Sequence, residues 1–123
     1  MSMRKIKLKR VYEAPSNDDG LRILVERLWP RGLLKTDAEI DHWMKDIAPT
    51  SRLRTWFGHR PERWPEFQTR YLAELDANTE AVRTLEKLCA VGPATFVFAA
   101  RDTERNSAVV LRAYLETDHG RVF

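Results

Sequence analysis

Cysteine is almost missing from this 123-residue chain, and two classes of chemistry go with it. The single Cys89 cannot close an internal disulfide or build a thiolate cage for a metal. It stands with Leu85 and Leu88 on an apolar helical stripe, where a thiol serves packing more often than reactivity. An excess of one charge is also lacking. Twenty-one Lys and Arg against 18 Asp and Glu leave a net charge of +3, well short of the concentrated patch that marks a dedicated nucleic-acid binder. No apolar run approaches the length of a membrane span, and the basic N-terminus lacks the apolar core of a signal peptide. A cytoplasmic address with no membrane partner is the default expectation. P-loop, dinucleotide fingerprint, nucleophile-elbow and HExxH motifs are absent, which removes the common recognisable enzyme classes.

What is present is organised around Ala94 to Glu116. Thr95 to Ala100 is a near-continuous apolar run opened by Gly92-Pro93, the pattern of a strand buried on both faces. Arg101 to Asn106 is polar. From Ser107 the apolar spacing becomes helical, with Ala108, Leu111 and Leu115 in step. A buried strand that ends in a polar loop and starts a helix is where α/β proteins hold ligands.

Upstream, Lys5 to Tyr12 alternates Ile6 and Leu8 with lysines, the pattern of a strand near a sheet edge. Asp19-Gly20 supplies a turn residue that tolerates positive φ, and Leu21 to Leu28 reads as a second, more interior strand. Thr36 and Glu39 form a capping box that predicts a helix continuing through Ile40, Trp43, Met44 and Ile47, although residues 41–47 fit a short strand equally well. Pro49-Thr50-Ser51 opens a short helix closed by Gly58. A longer helix follows from Pro65 with Phe67, Tyr71 and Leu75 inward, and another runs to Ala90. The fold class implied is α/β: one compact domain over residues 1–123, with a small, mainly parallel sheet flanked by helices.

Four blocks, LVERLWPRG at 24–32, KDIAPTSRLRTWFGH at 45–59, ERWPEFQTRYLAEL at 62–75 and FAARDTERNSAVVLRAYL at 98–115, together resemble the YeaO-like branch of the domain-of-unknown-function 488 family. The resemblance implies a compact α/β domain and names no activity. The wider family tends to carry a Cys-bearing loop after the last strand and a Cys-His-Arg start to the last helix. Here those places hold Ala99, Ala100 and Arg105-Asn106-Ser107, so thiol or Cys/His metal chemistry does not carry over. Nothing reads as a helix-turn-helix followed by a β-wing.

If the strands at 21–28 and 95–100 are parallel neighbours, their C-terminal ends share one edge. That edge would gather Arg27, Trp29 and Arg31 from one loop and Arg101, Asp102 and Asn106 from the other, with Arg27, Arg31, Arg101 and Asn106 as an anion site beside a helix N-terminus for phosphate or carboxylate. The alternative is a structural network in which these arginines pair with Glu26, Asp41 and Asp46. Candidate acid/base residues are Asp46 and Asp102, with His59 as a shuttle. His42 and His119 are weaker candidates. A small anionic ligand, with hydrolase or transferase chemistry as an extension, is the first expectation. A nucleic-acid accessory role for Lys5, Lys7, Lys9 and Arg10, or a docking surface around Trp56 and Trp64, are the others. No metal-ligand spacing stands out, and the residues name neither a cofactor nor an oligomeric state.

Overall fold

A computed structural model describes residues 6–117. Four strands, β1 (Ile6–Arg10), β2 (Leu21–Leu24), β3 (His42–Trp43) and β4 (Ala94–Phe98), form one sheet in the order β1-β4-β2-β3. Every neighbouring pair is parallel. β4 is buried along its whole length, as its unbroken apolar run requires, and β1 is the outer strand. There the Glu116 carboxylate accepts from the Ile6 N–H, Arg112 donates to the Ile6 carbonyl, and the Arg10 N–H is taken by Glu13.

The helices are α1 (Lys35–Ala38), α2 (Ser51–Phe57), α3 (Trp64–Ala77), α4 (Thr79–Ala90) and α5 (Ser107–Leu115). α2 to α5 lie against one face of the sheet. Ile23, Val25, Phe96 and Phe98 meet Phe57, Phe67, Tyr71, Leu75, Leu85 and Leu111 there in the main core. Cys89 belongs to this core, where burial, with Glu86 beside it, pushes its thiol up to about 11. Two helix starts are fixed by side-chain caps: Thr50 accepts from the Leu53 N–H and Asn106 from the Val109 N–H. Gly58 closes α2 in the left-handed conformation.

The opposite face carries loops and the one-turn α1. Its apolar half packs Leu24, Val97 and Val11 under Trp29, Leu33, Ile40 and Trp43. Its polar half aligns Lys7, Thr95 and Arg22 in one row across three strands, and the Asp19 carboxylate sits over that row. Asp19 accepts from Arg22 Nη1 at 2.7 Å, from the Ser16 N–H at 3.0 Å and from Lys9 Nζ at 3.2 Å, while its carbonyl accepts from Thr95 Oγ1 at 2.7 Å. Burial by itself would raise the Asp19 carboxyl; these donors hold it below the usual range.

The helix expected from the Thr36–Glu39 capping box is corrected to a single turn. Leu34, not Thr36, precedes it, and Glu39 takes a left-handed conformation at φ 48°. Tertiary pairing overrides the helical spacing beyond that point. Asp41 N–H donates to the Arg22 carbonyl and Met44 N–H to that of Leu24, drawing residues 42–43 alongside β2 as β3. The second strand ends at Leu24 rather than Leu28, since Glu26 and Arg27 turn away to the sheet edge, and the last strand ends at Phe98 rather than Ala100.

Two stability outcomes follow. A methyl group at Gly20, whose φ is 64°, would sit 2.1 Å from the Pro93 carbonyl oxygen; Gly20→Ala is expected to cost about 3 kcal/mol in urea denaturation. Asp19→Ala leaves Arg22 buried without its carboxylate and is expected to cost roughly 3–5 kcal/mol by the same measurement.

Candidate functional site

Because β2 and β4 are parallel neighbours, the chain leaves both at the same edge. Glu26 and Arg27 follow one strand, and Ala99 to Asn106 follow the other on the way to α5. Between them opens a cleft of about 550 Å³. Ala48, Pro49, Phe57, Phe67, Ala99 and Ala100 form its apolar walls, and Arg54, His59 and Arg101 line it as polar groups. A larger hollow of about 820 Å³ lies between α3, α4 and α5, but its charged lining is mixed, with Asp76, Arg83 and Glu86, and Asp76 accepts from the Tyr114 hydroxyl. The sheet edge is the better candidate because it joins cations that make no ion pair among the described residues to strand ends and a helix start.

Arginine clamps fix two walls of this cleft. Arg27 donates from Nε to the Pro49 carbonyl and from Nη2 to that of Ala48, both at 3.0 Å. Arg10 donates from Nε to the Ala100 carbonyl at 2.9 Å and from Nη2 to that of Ala99 at 3.2 Å. Each guanidinium fork spans two successive carbonyls, a geometry a lysine cannot reproduce. The Ala48 wall is tied further. Tyr71 donates its hydroxyl to the Ile47 carbonyl, and Glu74 accepts from the Thr50 N–H and hydroxyl.

Glu26 is the carboxylate of the cleft that sequence reasoning treated only as an arginine partner. One oxygen accepts from the Ala99 N–H at 2.9 Å, bridging the two strand ends, and its own carbonyl accepts from Trp43 Nε1. Burial raises the Glu26 carboxyl above its ordinary value; the Ala99 hydrogen bond and the charges of Arg54 and His59 offset part of that. The signal available beforehand was its position, immediately beyond the end of an interior parallel strand. Arg54 was missed as well: it lies one residue past Leu53 on α2, on the side that faces this edge rather than the core.

The remaining expected residues fall as follows. Arg27, Arg101, Asp102, Asn106 and His59 all line the cleft. Asn106 is spent on structure, accepting from Val109 and donating to the Asp102 carbonyl. Asp102 accepts from the N–H groups of Arg105 and Glu104 and from Arg105 Nε, and those donors lower its carboxyl, so it stays ionised and locally engaged. His59 holds a left-handed backbone at φ 57° directly after Gly58, with its ring 6.0 Å from that of Phe57. Arg31 and Asp46 lie elsewhere. The Trp29–Leu33 segment packs on the other face of the sheet, where the Arg31 carbonyl accepts from Tyr12, and Asp46 borders a separate hollow beside Asn78.

The network envisaged with Glu26, Asp41 and Asp46 does not form. Among the described residues no carboxylate lies within ion-pair distance of Arg27, Arg54 or Arg101. Among the described residues, too, no group of three or more His, Cys, Asp or Glu could hold a metal ion, and no helix is long and apolar enough to cross a membrane. Lys7 and Lys9 are engaged by Asp18 and Asp19. Trp56 and Trp64 are half-buried against the main core. Lys5 and His119 lie outside the described residues.

A raised carboxyl contributes stability that is full below its unfolded value near 4.5 and is lost as pH rises through the folded value. Glu26→Gln keeps the acceptor for Ala99 and removes the desolvated charge. Its melting temperature is therefore expected to exceed that of the parent by a few degrees at pH 7, the gap closing as the pH approaches 4.5. An equal gap at both pH values would contradict the assignment.

Comparison with known proteins agrees with the layout of the chain. The family model described as the inactive DUF488-N3 subclade matches residues 5–122. Uncharacterized protein Rv3073c of Mycobacterium tuberculosis is 42% identical over 111 residues, which cover 90% of this chain and 93% of that one. Uncharacterized protein YeaO of Escherichia coli is 39% identical over 112 residues, covering 91% and 97%. No solved structure matches. With nearly the full length accounted for by both the family model and these relatives, the chain belongs to the DUF488 family, in its inactive DUF488-N3 subclade.

Proposed function

We propose that the protein binds a small phosphate- or carboxylate-bearing ligand in the cleft at the C-terminal edge of β2 and β4, and that it does so without covalent chemistry of its own. The observation that carries this reading is the presence of Arg54 and Arg101 in one cleft, neither within ion-pair distance of a carboxylate among the described residues. Arg27 adds a third positive charge although two of its donors hold the wall. Ser107, the first residue of α5, brings the helix start to the same cleft.

Binding is favoured over the hydrolase or transferase extension on two grounds. The subclade is described as inactive, and Ala99 and Ala100 stand where the wider family tends to carry a thiol. The cleft retains Ser107 as a hydroxyl, yet among the described residues no hydrogen bond joins it to His59 or Glu26, as an activated nucleophile would require. The expected cytoplasmic address would supply anionic metabolites. A nucleic-acid role has less support, since Lys7, Lys9 and Arg10 already serve contacts within the chain.

Pyrophosphate or ribose 5-phosphate is expected to raise the melting temperature in a saturable way, as mass action requires of any ligand that binds only the folded state. Arg101→Glu should abolish that shift and Arg54→Glu should weaken the affinity about tenfold or more. No shift with the parent protein, or equal shifts in parent and both variants, would remove the reading.

A further inference from the structure

We infer that the ligand of this cleft is a nucleoside monophosphate, held with its phosphate at Arg54 and Arg101 and the polar edge of its base at Glu26. The inference rests on the anion-binding reading and narrows it by charge, shape and hydrogen-bonding capacity.

Charge comes first. Three guanidiniums line the cleft against two carboxylates, and one of these, Asp102, is already matched by Arg105. The surplus suits a phosphomonoester dianion better than a zwitterion such as an amino acid. An inorganic anion would satisfy the arginines but leave the rest of the cleft unfilled, since about 550 Å³ lies in the range of roughly 300–1,000 Å³ that small organic ligands occupy.

The walls then separate ligand types. Ala48, Pro49, Phe57, Phe67, Ala99 and Ala100 offer no side-chain hydrogen-bonding group, and the backbone carbonyls of Ala48, Pro49, Ala99 and Ala100 are already taken by the arginine clamps. A sugar phosphate would press hydroxyls against this surface and leave them unpaired, at a cost. A nucleobase has two apolar faces and confines its polar atoms to its rim. Glu26 provides the complement to that rim. One of its oxygens holds the Ala99 N–H and the other has no protein donor among the described residues, so a half-buried acceptor facing the cleft remains for an N–H of the base. Such a group discriminates strongly, because a ligand lacking the donor leaves the carboxylate unsatisfied.

Isothermal titration of the parent protein and of Glu26→Gln with AMP, GMP, CMP, UMP and ribose 5-phosphate, at one ionic strength, tests this. At least one of the four nucleotides is expected to bind the parent about tenfold tighter than ribose 5-phosphate or better. Glu26→Gln should lose most of that advantage while its affinity for ribose 5-phosphate holds or rises, because a negative charge is removed from the cleft that Arg54 and Arg101 line. If ribose 5-phosphate binds the parent as tightly as the best nucleotide, or if Glu26→Gln preserves the full advantage, the base-binding role is overturned while the anion site stands. If neither the nucleotides nor ribose 5-phosphate binds, both readings fail together. Retention of the parent melting temperature or better by Glu26→Gln at pH 7 separates lost recognition from lost folding.

Discussion

The parallel pairing of β2 with β4 is the constraint on which the rest of the molecule depends. Two strands running the same way must be joined by a crossover, and here the crossover carries α1, β3, α2, α3 and α4 before the chain returns as β4. That return places Ala99 opposite Glu26, although 73 residues separate them in the chain. An antiparallel return would have sent the two loops to opposite ends of the sheet and left no shared edge. The cleft is thus a by-product of topology, and the side chains at the strand ends decide what it can hold.

Polar groups on the two sides of the sheet do different work. Asp19 gathers Lys9, Arg22 and Thr95 from three strands at a point where an apolar loop could not have met so polar a row. Its donors more than offset its burial. Glu26 is the reverse case. Its donors are fewer than its burial demands, and its carboxyl is raised. One carboxylate is therefore satisfied by the fold, while the other keeps an oxygen with no protein donor among the described residues.

Much of the fold was legible in the residues because local and tertiary preferences agreed. The apolar run before Ala100, the Thr50 and Gly58 signals around α2, and the Phe67, Tyr71, Leu75 stripe all point one way and are found that way. Residues 41–47 fit a helix and a short strand equally well in the sequence, and the demand of β2 for a partner on its open side decides for the strand at 42–43. Arg31 shares with Arg27 the loop after the second strand, which is why the sequence reading sets both at one edge. The chain between them turns across the sheet when Trp29 packs edge-on against Trp43, with ring centres 5.4 Å apart, and no one-dimensional pattern records that turn. Glu26 was overlooked as a site residue for a related reason: its importance comes from burial and from Ala99, both long-range.

The treatment of the outer strand has a consequence for how copies of this protein behave when crowded. An exposed strand flank is a template onto which another chain can add itself, and such addition is a common beginning of insoluble assemblies. On β1 the outward groups at Ile6 and Arg10 are already occupied by Glu116, Arg112 and Glu13. On the far side, β3 has only two residues to offer. With these groups occupied on one margin and so short a strand on the other, the sheet offers a newcomer few free backbone groups to zip onto.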